Sequence, residues 1–514
     1  MKKIWKLVSI VTVTLTVVAC TDLNEELKGD FTTTFPTNPF GTINVNKPTP
    51  NDGLGGAFNR VLNGTANHGS YFSVQEVSSD EAVITQKGGD WFDGGIWLRM
   101  HRHEFDPQIG GLNGAWGDSY GGITQCNQLL ASTDPQVSTP VAKAQLRFLR
   151  AYFYWRLLDV FGRVKITTQP LVDVPQATRV QVYNFVESEL LAAIPDLSAG
   201  KQDYGRVNKF GAYALLSRLY LNAKVYKGLA NHDPADLDAA IAAADAVINS
   251  GLYSLDAEYK DVFDPDNVEA AEHIFVAPFD ENTGGGNNFP YMTLHYPSQL
   301  TYDLRDQPWN GYSTLEEFYN SYDAADKRRT QNFIVGPQLD LQGTPILDLA
   351  FDPDDEDGAP INYTPEINEL APSGSRQAGA RLGKFNFKIG QIPDGDNDFP
   401  LLRLGEVLLN KAEAQFRKGD ASSALSTINL LRPRTGLANL GSLTEGVILA
   451  ERGRELFQEA LRRTDLIRFD AWDDAWWEKP NTAAKTHQIL MPIPIEQINA
   501  TAGTANPLTQ NPGY

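Results

Sequence analysis

The residues best suited to recognition chemistry are flat aromatic rings that stand outside any helical repeat. Trp91, Phe92 and Trp97 sit among glycines in the run GGDWFDGGIW. Tyr291, Tyr296, Tyr302, Trp309 and Tyr312 lie in a long stretch with little helical period, with Asn287, Asn288 and Arg305 beside them. Trp472, Trp476 and Trp477 form a third group in FDAWDDAWWEK. A pyranose ring presents a patch of C–H bonds that stacks on such rings, while its hydroxyls need amide, carboxylate or guanidinium partners at the edge. Packing is the commoner fate of any single aromatic, and the third group follows a strongly helical segment that it would simply cover. The first two regions are therefore the expected binding surface. Trp91, Trp97, Tyr291, Tyr296 and Trp309 are its stacking candidates, and Asn287 and Arg305 its edge contacts.

Catalytic arrangements are not evident. The chain has no G-x-S-x-G elbow, no H-E-x-x-H and no phosphate-binding GxxxxGK[ST]. Carboxylates are plentiful, but a retaining glycosidase needs two of them about 5–5.5 Å apart, and a sequence holds no such distance. A surface hydrolase therefore stays open as an alternative. His101 and His103 flank Arg102, with Glu104 next. This alternation offers two metal ligands from a strand but no third, so a structural role is expected. The acidic runs starting at Asp352 and Asp394 resemble the opening of a calcium loop. An EF-hand requires Gly at position six and Glu at twelve. The first run has Gly358 at seven and Tyr363 at twelve, and the second has Phe399 at six and Gly405 at twelve. Both read as solvated acidic loops.

The elements that must hold these residues are helical. Leu146, Leu149, Phe153, Leu157 and Phe161 recur at steps of three or four within Ala142–Phe161, and Gly162 is a natural stop. Similar blocks cover Val180–Ala193, Lys209–Tyr226, Asp236–Asn249, Phe399–Lys418, Ser422–Leu431 and Leu443–Arg463. Small residues recur where paired helices would cross: Ala212, Ala214, Ala239, Ala243 and Ala246 in one pair, and Ala412, Ala414, Ala421 and Ala424 in another. Such side chains let two helices lie close and antiparallel, as in tetratricopeptide hairpins. The full repeat pattern is missing, and a generic helical bundle is the plainer alternative. The predicted fold is mainly α, with tetratricopeptide-like hairpins interrupted by loop-rich insertions at about residues 63–120 and 252–400. Loops of this length in a compact domain usually carry function.

The 514 residues carry a formal charge of −20, with 42% hydrophobic residues and 10% aromatics. That suffices for a large core, repels phosphate backbones and so argues against nucleic acid as a partner, and suits neutral ligands such as sugars. At the N-terminus, Lys2, Lys3 and Lys6 precede the uncharged stretch Leu7–Ala19. It is shorter than the roughly 20 residues needed to span a bilayer and has the size of a signal-peptide core. It closes on Val17-Val18-Ala19-Cys20, an arrangement suited to a lipoprotein signal peptidase. The expectation is a signal peptide at 1–19, acyl chains on Cys20 and a polar tether or extended arm at 20–50, ahead of one domain at 51–514. Several acyl chains make a stable anchor where one is marginal. Cys126 lies on a predicted helix as a small buried hydrophobe. No disulfide framework or zinc array is expected.

The C-terminal third is the most distinctive. Residues 398–437, DFPLLRLGEVLLNKAEAQFRKGDASSALSTINLLRPRTGL, resemble the SusD/RagB family in their Arg-containing helix, Ala-Glu-Ala segment and Asn-x-x-Arg-x-Arg-x-Gly-Leu exit. ERGRELFQEALRRTDLIRF at 451–469 resembles the family's E-R-x-x-E-L run. The tail at 487–514 carries its Pro-Ile-Pro and closing Gln-Asn-Pro-Gly-Tyr. RFLRAYFYWRLLDVFGRV at 147–164, SSDEAV at 78–83 and GDWFDGGIW at 89–97 are also similar. Leu409, Asn410 and Pro433 depart from the usual residues. The resemblance implies about four tetratricopeptide-like helix pairs with a loop-rich face, and a non-enzymatic lipoprotein on the outside of the outer membrane. It further implies a partner SusC-like TonB-dependent transporter, to which a captured glycan is delivered. A peptide ligand, or a pure protein-interaction scaffold, is the alternative. No cofactor is implied beyond a structural calcium that some relatives hold between a D-x-Q/N loop and a D-x-W segment. The matching residues here are Asp280 and Asn282 with Asp470 and Trp472.

Overall fold

Six of the nine main helices begin at a side-chain cap that their own sequence supplies. In the computed structural model, which describes Lys47 and residues 52–282, 286–348 and 358–514, α1 spans Gly110–Leu130 and α2 spans Pro140–Val160. Thr139 caps α2 by accepting from the Ala142 amide at 3.1 Å, with Pro140 in the first turn, where its missing N–H costs nothing. α3 (Arg179–Ala193) opens with a reciprocal capping box between Thr178 and Gln181. Asn208 caps α4 (Lys209–Leu221), and Asp233 with Pro234 starts α5 (Pro234–Ile248). α6 (Leu404–Arg417), α7 (Ala421–Ile428), α8 (Glu445–Leu456) and α9 (Arg462–Arg468) complete the frame. The expected signal peptide, Cys20 and almost all of the tether lie outside the described residues, as does the acidic run at 352–357.

The helices stack in chain order, each packed on the next from α1 through α5, and α5 then packs on α6 and α6 on α7. The hairpins are thus continuous in space although more than a hundred residues separate α5 from α6. That insertion leaves and returns through a neck made by two antiparallel strands. Taking strands in chain order, β1 is Val83–Ile84, β2 is His273–Ala277, β3 is Tyr312–Ser313 and β4 is Phe399–Arg403. β2 pairs with β4, Ala277 opposite Phe399 and Phe275 opposite Leu402.

Four predicted elements are corrected. Residues 110–120, expected within a loop insertion, form the first half of α1. Their glycines weaken helix propensity but permit close approach. A Cβ on Gly114 would sit 2.6 Å from the Gly69 carbonyl oxygen, and one on Gly122 would sit 2.3 Å from the Phe153 ring. Phe399–Arg403, read as the start of a helix, is strand β4, because a partner strand far away in sequence satisfies its backbone. The block Lys209–Tyr226 breaks at Asn222, whose side chain donates to the Arg218 carbonyl and accepts from Arg468, both at 2.8 Å. Leu443–Arg463 breaks after Leu456, where Gln458 and Ala460 take positive φ (61° and 58°). Their amides are accepted by the buried carboxylates of Glu81 and Glu76 at 3.3 and 2.6 Å.

Under this frame lies a cluster of buried charges. Arg403 donates to Glu459 at 2.8 Å, to Glu455 at 2.9 Å and to Glu272 at 3.1 Å. Arg434 also reaches Glu272 and Glu455. Arg328 joins Asp326 and Glu451, both at 2.8 Å. Burial alone would raise the glutamate pKa values. The arginines outweigh it, holding Glu451 near 2 and Glu455 lower still.

Candidate binding shelf

β1 and β3 determine where the aromatic loops meet. Their antiparallel register, Val83 opposite Ser313 and Ile84 opposite Tyr312, sends the chain after β1 and the chain before β3 out along the same edge. Trp91 comes from the first loop and Trp309 from the second. The Trp91 indole donates to the Trp309 carbonyl at 2.6 Å, and the Trp309 amide donates to the Tyr291 carbonyl at 2.6 Å. His68 fills the corner, its ring centre 5.8 Å from Trp91 and 5.3 Å from Trp309, at 70° to each. Tyr296 closes the other side, its hydroxyl donating to the Asp90 carboxylate.

Together these rings border an open cavity of about 520 Å³, with Asp90, Asp93 and Gln307 at its polar edge. Its size lies within the range of small-molecule sites, and aromatic walls with a few convergent polar groups match their usual make-up. Asp93 is held in place by the Trp97 indole, which donates to it at 2.7 Å.

The backbone at the shelf is unusual. Trp91 has φ 58° and Asp93 φ 44°, and Gly94 and Gly95 follow in the same left-handed region. A bulky residue at positive φ is costly and persists only where its surroundings hold it. Here Lys87 and Asp90 exchange backbone hydrogen bonds, N to O at 3.0 and 2.9 Å, and the Trp91 ring lies over Gly311. A Cβ on Gly311 would stand 2.4 Å from that ring, so only glycine leaves it room. Lys87 is buried beneath, its ammonium donating to the carbonyls of Thr85 and Gly311 at 3.3 Å each. Burial and the nearby Arg381 hold its pKa well below the usual lysine value, against the pull of Asp90.

Of the seven expected ligand contacts, three converge on the cavity: Trp91, Tyr296 and Trp309. The other four are corrected. Trp97 is only 2% exposed and packs behind Trp91 at 6.1 Å between ring centres. Tyr291 is fully buried, its hydroxyl donating to the Gln391 carbonyl at 2.7 Å. Asn287 is buried too, its side chain accepting from the Phe289 amide at 3.0 Å. Arg305 is exposed but does not border the cavity. These four are supports or neighbours. Sequence reasoning missed His68, Asp90, Asp93, Gln307 and Pro308. Asp90 and Asp93 stood within the GDWFDGGIW run, whereas His68 carried no signal beyond a turn-like Asn-His-Gly.

The third aromatic group is packing, as expected. Trp472 is 2% exposed, stacks on His103 at 4.1 Å and donates to the Gln488 carbonyl at 3.2 Å. His103 meets the Ser78 carbonyl at 2.8 Å and His101 the Trp477 carbonyl at 2.7 Å. Burial lowers both imidazole pKa values, His101 to about 4.

The expected calcium site is not assembled. Pro278, two residues before Asp280, packs against Gly205 just ahead of α4. Asp470 pairs at 2.9 Å with Lys224, just past its other end. A 13-residue helix, about 20 Å long, separates the two halves. Asn282 donates instead to Asp280 at 2.9 Å, and Trp472 is buried in the core. Among the described residues no group of three or more His, Cys, Asp or Glu is disposed to hold a metal ion.

Comparison with known proteins agrees with this architecture. Residues 371–488 match the model of the SusD family, and residues 60–221 match a family described as "Starch-binding associating with outer membrane". The starch-binding protein SusD of Bacteroides thetaiotaomicron is 27% identical over 433 residues, 76% of each chain. Among solved structures, surface glycan-binding protein A from Bacteroides fluxus superposes with a TM-score of 0.72 at 21% identity, covering 91% of this chain and 100% of that one. Surface glycan-binding protein A from Bacteroides thetaiotaomicron, in complex with laminarihexaose, gives 0.69 at 23% identity over 88% and 97%. At these identities the structural matches establish the fold. Both family models match in order along one chain with this hairpin frame beneath them, and with the relatives they support a SusD-like protein.

Proposed function

We propose that the protein captures a glycan on the shelf formed by Trp91, Trp309 and Tyr296 and passes it to a partner SusC-like TonB-dependent transporter. It would do so from the outer face of the outer membrane, anchored through acyl chains on Cys20. The observation that carries this reading is the convergence of two aromatic loops and a half-buried tyrosine on one open cavity edged by carboxylates. Sugar faces would stack on the rings, and their hydroxyls would donate to Asp90 and Asp93. The names of the relatives support a glycan as ligand, since they include a starch-binding protein and a surface glycan-binding protein in complex with laminarihexaose.

Binding without hydrolysis is the favoured reading. Each cavity carboxylate already serves as an acceptor for an aromatic neighbour, Asp93 for Trp97 and Asp90 for Tyr296. A peptide ligand is less favoured, because the exposed features of the shelf are ring faces rather than an open row of backbone groups. No cofactor is needed for capture of this kind. The test is affinity electrophoresis of the purified protein through gels that each contain starch, laminarin, xylan, levan or mannan. Retardation by one polymer, lost in Trp309→Ala, is expected. A protein that no polymer retards would refute the glycan reading, and a peptide-array screen would follow.

A further inference from the structure

Glycan chains are either uncharged or carry uronate or sulfate groups, and the electrostatics of a shelf must suit one kind. Here the two carboxylates at the cavity are exposed yet fixed. Asp90 is held by the Tyr296 hydroxyl, and Asp93 by the Trp97 indole at 2.7 Å. Among the described residues the second oxygen of each accepts no further bond, so each retains an acceptor for a ligand hydroxyl. Neither can turn away from an approaching anion without breaking its bond to the aromatic wall.

Among the described residues, no lysine or arginine borders the cavity, and His68 is the only basic one that does. Desolvation among the rings lowers its pKa and so disfavours its charged form, against the opposing pull of Asp93. Lys87 lies beneath the shelf and spends its donors on the Thr85 and Gly311 carbonyls. Arg305, two residues before Gln307, is not among the residues that border the cavity. The whole chain adds a net charge of −20, a field that slows the approach of any polyanion.

We infer that the shelf selects uncharged glycans and excludes polyuronates and sulfated chains, with Asp90 and Asp93 as its specificity-determining residues. The same two groups work in both directions. A hydroxyl on a neutral sugar gains a charge-assisted hydrogen bond, whereas a sugar carboxylate in the same position meets a like charge. Selectivity then comes from the repelled ligand as much as from the accepted one.

The inference rests on the shelf being the glycan site, and the experiment separates the two claims. Affinity electrophoresis compares the wild type, the Asp90→Asn/Asp93→Asn double variant and Trp309→Ala. The gels contain the neutral polymers above, polygalacturonate or alginate, at low and raised salt. Asparagine retains an oxygen to accept from Tyr296 and Trp97, and an unchanged unfolding midpoint verifies that the double variant folds. The expected result is that the wild type binds a neutral polymer at least about tenfold more tightly than either polyuronate. The double variant should narrow that ratio by about tenfold, and raised salt should narrow it in the wild type. Equal retardation of the wild type by polyuronate and neutral polymer, or an unchanged ratio in the double variant, overturns the inference while leaving the shelf reading intact. Full retardation of Trp309→Ala overturns the shelf reading itself. Retardation by no polymer of either kind refutes both.

Discussion

Arg403 and Trp91 stand in two regions that handle polar groups in opposite ways. Around Arg403 the charges are buried and matched. Its guanidinium meets Glu459, Glu455, Glu272 and the Glu455 carbonyl, and Arg434 and Arg328 meet the same carboxylates from other sides. Around Trp91 the rings are half-buried, and the carboxylates at the cavity edge each hold one partner and keep capacity for another. A satisfied cluster of charges has nothing left to offer a ligand. It ties β4, α8 and the insertion together, and its charges are tolerated only because each is paired. The shelf is under-satisfied and exposed, which is how a binding surface differs from a structural one.

Five substitutions test this contrast. The largest effect is expected at the charge cluster. Arg403→Met leaves Glu455 and Glu459 short of a partner and should cost about 3–5 kcal/mol of unfolding free energy, read from denaturant midpoints, with glycan binding retained in whatever fraction folds. The cluster should also show in acid. Glu451 is depressed from 4.5 to about 2, so its stabilisation is full above pH 4.5 and is lost as pH falls toward 2. Stability measured across that window should decline, and Glu451→Gln should flatten the decline. Next in size is the shelf. Trp91→Ala should weaken glycan binding by about 2 kcal/mol, roughly 30-fold in Kd, measured by calorimetry, while its unfolding midpoint moves less than that of Arg403→Met. Gly311→Ala should lie between the two regions. Its added methyl meets the Trp91 ring, costing about 1–2 kcal/mol of stability and part of the affinity. The smallest effect is expected for Tyr296→Phe, which frees Asp90 at about 1 kcal/mol, or about fivefold in affinity, with stability unchanged. If Trp91→Ala destabilised the fold as much as Arg403→Met and left binding intact, the contrast between the regions would be wrong.

Legibility differed between the regions for a physical reason. Helix starts at Thr139, Thr178, Asn208 and Asp233 are local events, set by side chains within three residues of the amides they cap, and the sequence reading found them to within about two residues. The C-terminal motif residues were recognised as a pattern, but their roles as buried partners were not visible, since Glu272 lies 131 positions from Arg403. At the shelf, residue type pointed to the two loops that meet at the cavity but not to which of their side chains are buried. Trp97 and Tyr291 have the same character in sequence as Trp91 and Tyr296, yet one pair is buried and the other faces the cavity.

By itself the sequence determined the class of the fold, the family resemblance, the frame of helical hairpins and the two loops that hold the binding rings. The resemblance rests on motif residues, and the rest follows from helical periodicity and composition, which act over a few residues. Tertiary structure alone decided that the hairpins stack across the insertion, that Phe399–Arg403 is a strand, that Asp280 and Asp470 lie at opposite ends of α4, and which aromatics remain open to a ligand. Burial and partnership are properties of neighbours brought together by pairings such as β1 with β3 and β2 with β4. Such neighbours lie more than a hundred residues apart in the chain.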